Sequence, residues 1–158
     1  MRQIQTISGN AGYRSQLDRV RRFLDRVEGP YANDVEFQDM MWAFFQNCWH
    51  LKDWVAADPL VPREIKKAII ARAEESVLLR VCKEMCDGTK HLGKDRNRST
   101  ARHKQVAGIV DAHGNIDWDC ELDNGVGKLV SGRLLAHQCI SEWEAILTFH
   151  GLATTRLS

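Results

Sequence analysis

The strongest pattern in the chain is a run of apolar and aromatic residues between Phe37 and Val55, which holds three of the five tryptophans and three of the five phenylalanines. At 100° per residue, one broad helix face collects seven apolar side chains: Phe37, Met41, Phe44, Phe45, Cys48, Leu51 and Val55. Trp42 and Trp49 widen this face. Because a helix with so wide an apolar face cannot lie half in water, the pattern predicts the central, most buried helix.

The remaining strip of this predicted helix is polar. Its residues are Asp39, Gln46, Asn47, His50 and Asp53. Such a strip is either a face in contact with solvent or one wall of a functional site, and the sequence leaves both interpretations open.

Apolar residues at intervals of three and four predict one helix before the central helix and one after it. The first covers about residues 13–27 and ends before Gly29. The other covers about residues 63–87 and begins after Pro62. Their inward positions are Tyr13, Leu17, Val20, Leu24, Val27, Ile70, Ala73, Val77, Val81 and Met85. Glu74 lies among the last of these and is expected to reach out to solvent.

The apolar period changes to two in the last third of the chain. Residues 106–110 and 116–122 predict an antiparallel hairpin around a turn at 111–115. The second strand has an acidic face and an apolar face, the latter formed by Ile116, Trp118, Cys120 and Leu122. A third short strand is expected at 128–130, and Ser131 is placed to cap a last helix.

These elements predict a mainly α (α+β) protein, a four-helix bundle with a small antiparallel β-hairpin inserted before the C-terminal helix. An isolated hairpin is marginal in water, so this one is expected to pack on the helices. A single domain is predicted over residues 1–158, with a helical body at about 12–91 and 131–150, a basic loop at 92–104 and a β insert at about 105–130.

The overall composition is ordinary, with 44% hydrophobic and 27% charged residues and a net charge of +1. A charge so close to zero gives no global attraction to nucleic acid or to an anionic membrane, so either partner would need a local patch. No apolar run reaches the roughly 18 residues needed to span a bilayer. Five scattered cysteines are typical of reduced thiols, which predicts a cytoplasmic protein that is not in a membrane.

Two pairs of potentially reactive side chains lie on neighbouring predicted helices. His50 and Asp53 are three residues apart, and Lys90 and His91 lie close to Asp87 at the end of the next helix. If the pairs converge, a histidine can act as a general acid or base and a lysine can stabilise an anion, so His50, Asp53, Lys90 and His91 are the predicted catalytic residues. The alternative is that these side chains have no catalytic role. Cations such as Lys90 and His91 then only stabilise the helix end, because positive charge is favoured at the negative end of the helix dipole.

No metal or cofactor is predicted. The spacing Cys82-x3-Cys86-x4-His91 lacks the tighter knuckle and the fourth ligand of a structural zinc site, so small core cysteines are the preferred interpretation. The two polar pairs could hold a metal only by converging. Neither a Gly-rich phosphate loop nor a His-Glu-x-x-His motif is present in the sequence.

A polar, basic stretch without periodicity follows at 92–104 and predicts an exposed loop. Its candidate phosphate-binding residues are Lys94, Arg96, Arg98, Arg102 and His103. Since no aromatic residue is interleaved to stack on bases, a plain solvent-exposed loop is the alternative interpretation.

Two motifs carry a resemblance to a known family: Trp-His-Leu-Lys-Asp-Trp at residues 49–54 and Asp-Gly-Thr-Lys-His at residues 87–91. With the β segment and the last helix that follow, the chain resembles, over about residues 37–150, small bacterial and phage proteins related to the HEPN helical domains. The resemblance implies RNA cleavage in toxin or phage-defence systems, by an arginine and a nearby histidine acting across a homodimer interface.

The residues of this chain that match the HEPN arginine and histidine by spacing are Arg96 or Arg98 with His103. They lie in the predicted loop, whereas the family places them on a helix. Two functions are therefore expected as alternatives. One is a HEPN-like protein that binds RNA or cleaves it without a metal ion. The other is a non-catalytic module that forms a homodimer or binds a protein partner through its wide apolar helix.

Overall fold

The computed structural model describes residues 12–90 and 105–157, without the side chains of residues 88–90, 105 and 106. Its elements are α1 (Tyr13–Val27), α2 (Asp34–Ala57), α3 (Arg63–Glu75), α4 (Val77–Lys90), β1 (Gln105–Val110), β2 (Ile116–Asp123), β3 (Leu129–Ser131) and α5 (Gly132–Phe149). The mainly helical fold with a small antiparallel sheet is confirmed. The four-helix bundle is not confirmed, because the described residues form five helices. The single domain over the whole chain stays a prediction.

Helix α2 forms the centre of the helical core, as predicted. Asn33 caps its N-terminus by accepting a hydrogen bond from the backbone N–H of Glu36 (2.9 Å). All seven predicted inner residues are buried: Phe37, Met41, Phe44, Phe45, Cys48, Leu51 and Val55. Helices α1, α3, α4 and α5 pack against α2, so its wide apolar face is covered within the chain.

The helix predicted over 63–87 is two helices that meet at Ser76. The backbone of Ser76 is extended (φ −65°, ψ 123°), which ends α3 at Glu75. The Ser76 hydroxyl accepts a hydrogen bond from the N–H of Leu79 (3.3 Å) at the start of α4 and donates one to Glu142 of α5 (2.9 Å). The break is thus stabilised on both sides.

The break at Ser76 changes which side chains face the core. Ile69 is buried, whereas Ile70, predicted as an inward residue, is half-buried. Val77 was also predicted inward and is 40% exposed, because it begins a new helix with a different direction. Glu74 is exposed, as expected. The other predicted inward residues of this region are buried: Ala73, Val81 and Met85.

The sheet has the strand order β1-β2-β3 and is antiparallel throughout, which confirms the predicted hairpin and third strand. Asp111 stabilises the β1–β2 turn, because its Oδ1 accepts hydrogen bonds from the N–H groups of His113 and Asn115 (2.8 and 2.9 Å). On the inner face of β2, Cys120 and Leu122 are buried as predicted.

The tip of the hairpin lies in solvent. Ile109 is 70% exposed, Val110 is 63% exposed and Ile116 is 45% exposed. The prediction that Ile116 is buried is therefore wrong. The helices cover only the part of β2 that carries Cys120 and Leu122. The alternation of apolar and polar residues continues along β2 past this covered part, so it also includes Ile116, which lies in solvent.

Helix α5 connects the sheet to the helices. Ser131 caps it as predicted, since its Oγ accepts a hydrogen bond from the N–H of Leu134 (3.2 Å). The buried indole of Trp143 donates to the carbonyl oxygen of Cys48 (3.0 Å) and so ties α5 to α2. α5 also packs against α1, α3, α4, β2 and β3. Within the described ranges, no helix has the length and apolar character needed to cross a membrane.

Candidate functional site

The predicted site residues fall into two groups. His50 and Asp53 lie on α2. Lys90 is the last residue of α4, and its side chain is not described. The remaining predicted site residues lie outside the described part of the chain: His91, Lys94, Arg96, Arg98, Arg102 and His103. The contacts of the predicted site are therefore those around His50 and Asp53.

His50 and Asp53 form a hydrogen-bonded pair on the solvent side of α2. The Nδ1 atom of His50 lies 3.0 Å from Oδ2 of Asp53, and the Nζ atom of Lys52 lies 2.8 Å from Oδ1 of the same carboxylate. The side chains of His50 and Asp53 are 44% and 54% exposed. Since Asp53 holds Nδ1, the Nε2 atom of His50 is the ring nitrogen available for a proton transfer.

Asp53 stays ionised over a wider pH range than an ordinary aspartate. Partial burial acts to raise its pKa, but the hydrogen bonds from Lys52 and then from His50 outweigh burial, so the pKa of Asp53 is lowered. A carboxylate with a lowered pKa is a weak base. Its role in this arrangement is to orient the imidazole of His50, which is left as the group that can exchange a proton.

Two cation–aromatic contacts flank this pair. The guanidinium of Arg19 lies 5.3 Å from the ring centroid of Trp54, and the Nζ atom of Lys52 lies 5.1 Å from that of Trp49. At 100° per residue, Trp54 and Trp49 lie on opposite sides of His50 around α2. We call this set the α2 surface site: Arg19, Trp49, His50, Lys52, Asp53 and Trp54.

The polar strip of α2 serves two purposes. Gln16 of α1 is 1% exposed, and its side-chain N–H donates to the carbonyl oxygen of Asn47 (2.9 Å). Asn47 in turn donates to the carbonyl oxygen of Ala43 (2.8 Å). The Asn47 edge of the strip therefore holds α1 against α2, whereas the edge with His50 and Asp53 faces solvent.

Of the second predicted pair, only the backbone of Lys90 can be placed relative to His50. The Sγ atom of Cys86 lies 4.0 Å from the carbonyl oxygen of Phe45, and Cys82 contacts Cys48, so α2 and α4 run antiparallel. Cys86 and Phe45 mark a common level of the two helices. Lys90 lies four residues beyond this level on α4, and His50 lies five residues beyond it on α2 in the opposite direction. At a rise of about 1.5 Å per residue, the two are about 13 Å apart along the helix axes. A catalytic set that joins His50 with Lys90 and His91 stays a prediction.

A second polar cluster connects α1, β2 and α5 and was not found from the sequence. His137 Nε2 lies 2.6 Å from Glu28 Oε1, and Arg133 Nη2 lies 2.6 Å from Asp117 Oδ1. Arg133 also lies 4.0 Å from Glu28 and donates to the carbonyl oxygen of Trp118. Because His137 and Glu28 are 109 positions apart, no spacing rule joins them. We call Glu28, Asp117, Arg133 and His137 the α1–α5 cluster.

A cleft of about 280 Å³ adjoins the α1–α5 cluster, and carboxylates outnumber cations among the residues that line it. Glu28, Asp111 and Asp117 face it together with the single guanidinium of Arg133. Burial raises the pKa of Tyr31 in this cleft to about 12, so its hydroxyl stays protonated. An excess of carboxylates makes this cleft unsuited to phosphate.

The thiols of the predicted Cys82-x3-Cys86-x4-His91 spacing are buried in the core, as expected, and His91 lies outside the described residues. In the part of the chain that is described, no group of histidine, cysteine, aspartate or glutamate side chains is arranged to hold a metal ion. No protein-family model, curated protein or solved structure matches this chain.

Proposed function

We propose that the protein binds single-stranded RNA through the α2 surface site. The observation that carries the proposal is the pair of cation–aromatic contacts, Arg19 with Trp54 and Lys52 with Trp49, on either side of the exposed imidazole of His50. The partly exposed ring of Trp54 beside Arg19 offers stacking for a base, whereas Trp49 is only 8% exposed and holds the ammonium group of Lys52 at the surface. A stacking surface next to cations that meet phosphates is a combination that proteins use to hold single strands.

Charge supports the choice of this surface. The α2 surface site has two permanent cations, Arg19 and Lys52, and one carboxylate, Asp53. The α1–α5 cluster has the opposite balance, with Arg133 set between two carboxylates. Because phosphate contacts dominate the affinity of nucleic-acid binding, the site with the positive balance is the better candidate.

The proposal extends to parts of the chain that rest on sequence alone. The basic residues between 94 and 104 add phosphate contacts, and a homodimer brings Lys90 and His91 of one subunit to His50 of the other. The proposal also includes a cytoplasmic location and a HEPN-like role in phage defence or in a toxin-type system.

Cleavage in this proposal uses His50 as the base. Its Nε2 removes the proton of a ribose 2′-hydroxyl, and the 2′-oxygen attacks the adjacent phosphate. The bond from phosphorus to the 5′-oxygen breaks, which leaves a 2′,3′-cyclic phosphate, and the departing 5′-oxygen takes a proton from water. Asp53 orients the ring through Nδ1 and stabilises the imidazolium that forms. Lys52 or a lysine of a second subunit compensates the charge that develops on the phosphate. No metal ion takes part.

RNA binding is tested by fluorescence anisotropy with a labelled single-stranded RNA. Arg19→Ala and Lys52→Ala are each expected to weaken binding about fivefold, since each removes a cation that can contact phosphate. Exposed cations elsewhere serve as matched controls: Arg72→Ala on α3 and Lys128→Ala in the β2–β3 turn leave binding unchanged. Equal affinity for all four variants, or no binding by the unaltered protein, would contradict the proposal.

Cleavage is tested separately, on the same RNA and in the presence of a chelator. His50→Ala is expected to abolish cleavage while binding persists, and His113→Ala in the exposed β1–β2 turn is the matched control. Binding without cleavage by the unaltered protein would restrict the function to RNA binding. Cleavage that survives in His50→Ala would show that the base lies elsewhere.

A non-catalytic interaction module is the second candidate, and the exposed hairpin tip favours it. The apolar face of α2 is covered within the chain, so a partner would use Ile109, Val110 and Ile116 instead. If the protein is a homodimer through this surface, light scattering will show dissociation in Val110→Asp. Val126→Asp, at another exposed valine (70%), is the matched control and keeps the dimer.

A further inference from the structure

Three of the five cysteines meet in the core from three different helices. Cys48 comes from α2, Cys82 from α4 and Cys139 from α5, and none has exposed surface. The Sγ atoms of Cys82 and Cys139 are 3.5 Å apart, and the thiol of Cys48 contacts both. The sequence predicts buried cysteines at these positions, but not that they touch.

We infer that Cys82 and Cys139 form a disulfide when the protein is exposed to a peroxide. A disulfide places its sulfur atoms about 2.05 Å apart, so the observed contact has to shorten by about 1.5 Å. The two residues face each other from separate helices with no side chain between the sulfurs. Once a local opening has admitted the oxidant, rotation of the side chains with a small helix shift brings the two sulfur atoms to bonding distance.

The contacts of the three thiols favour Cys139 as the sulfur that reacts first, because the thiol of Cys82 donates to its Sγ atom. Burial raises the pKa of Cys48 and of Cys82. Hydrogen bonds from Cys48 and Cys82 lower the pKa of Cys139, because they stabilise its thiolate. In its neutral form Cys139 instead donates to the carbonyl oxygen of Leu78 (3.7 Å). The thiolate is the nucleophile, so attack on an oxidant starts at Cys139.

The oxidation proceeds in two balanced steps with hydrogen peroxide as the oxidant. The Cys139 thiolate attacks one peroxide oxygen, the O–O bond breaks, and hydroxide leaves and takes a proton to become water. Cys82 then attacks the sulfenic sulfur of Cys139; the S–S bond forms, the S–O bond breaks, and a second water leaves with the Cys82 proton. Two electrons pass from the two thiols to the peroxide.

The disulfide would link α4 to α5 inside the core. Because Cys82 and Cys139 are 57 positions apart, the link closes a long covalent loop in the chain. Closing a long loop restricts the unfolded chain, which predicts a higher melting temperature for the oxidised protein. Because the thiols are fully buried, oxidation requires transient local opening of the helices.

The test is peptide mapping of the full chain after treatment with hydrogen peroxide, without reductant. The expected product is one cross-linked peptide pair that contains Cys82 and Cys139, with the intact mass lowered by two hydrogen atoms. The melting temperature rises with it and returns to its original value when a reductant is added. Oxygen added to these cysteines without the cross-link, or a cross-link that involves Cys48, would overturn the inference.

Two variants separate the proposed pair from general cysteine oxidation. Cys82→Ala is expected to lose the cross-link and the rise in melting temperature. Cys86→Ala removes an equally buried thiol one turn along α4 and is expected to keep both. The same oxidation in urea serves as a control, because it shows which links form in the unfolded chain. If the Cys82–Cys139 peptide forms in urea with the same yield as in the folded protein, the inference is overturned.

Discussion

Two histidine–carboxylate pairs lie on the surface of the described residues, and they differ in what they connect. His50 and Asp53 belong to one turn of α2 and are 3.0 Å apart. His137 and Glu28 are 2.6 Å apart and join α5 to the end of α1. Exposure does not distinguish the pairs, since the four side chains are all between 44% and 54% exposed.

The neighbours of the pairs make the difference. Beside His50 and Asp53 the additional contact comes from Lys52 of the same helix, so the pair adds nothing to the association of helices. Beside Glu28 lies Arg133, only 17% exposed, which also reaches β2. A similar polar pair is thus confined to the surface of one helix in one place and connects separate elements in the other.

The largest effect is expected from removing the cation of the α1–α5 cluster. Arg133→Ala should lower the free energy of unfolding by about 1.5 kcal/mol, because it removes charge-assisted hydrogen bonds to Asp117 and to the backbone of Trp118. Urea denaturation measures the change. The matching variant on α2, Lys52→Ala, should cost no more than about 0.5 kcal/mol. Equal losses in the two variants would remove the distinction between the two regions.

A smaller effect is expected for the histidine pairs themselves. Double-mutant cycles should give a coupling energy of about 0.5–1 kcal/mol for His137 with Glu28 and about 0.3 kcal/mol for His50 with Asp53. The first value is higher because the pair joins two helices and has Arg133 nearby. A larger coupling within α2 would reverse our assignment of structural and functional roles.

The smallest effect is the acid dependence of Asp53. Its pKa is lower in the folded state than in the unfolded state, so its contribution to stability is present above about pH 4 and is lost as the pH falls through the folded pKa. Stability curves of the unaltered protein and of Asp53→Asn should therefore approach each other below pH 4. Because the side chain is 54% exposed, their separation at pH 7 should be small. A gap that widens in acid would contradict this.

The parts of the fold that could be predicted are those with a local signal. The seven-residue apolar face of α2 gives its position in the core, and the turn at Asp111 together with the cap at Ser131 gives the hairpin and the start of α5. The predicted α1 has the bounds of the observed helix, and the apolar run that predicts α2 lies within the observed α2. Each signal acts over a few residues, so no knowledge of tertiary contacts is needed.

The parts that could not be predicted depend on distant partners. The break at Ser76 is stabilised by Glu142, 66 positions away, and no glycine or proline marks it. The same reason hides the α1–α5 cluster and the meeting of Cys82 with Cys139. Of the predicted site, the pairing of His50 with Asp53 follows from helical spacing, whereas the position of the Lys90 backbone follows from the antiparallel register of α2 and α4.

The contacts of α5 have a consequence for synthesis. α5 follows every other described element in the chain, yet Trp143 and its neighbours complete the packing of α1, α2, α3 and α4. While a ribosome is still making residues 132–149, the helices that have already emerged lack the partner that covers them. Nascent chains would thus expose part of the apolar face of α2, and a chaperone that binds apolar segments is expected to protect them until α5 emerges.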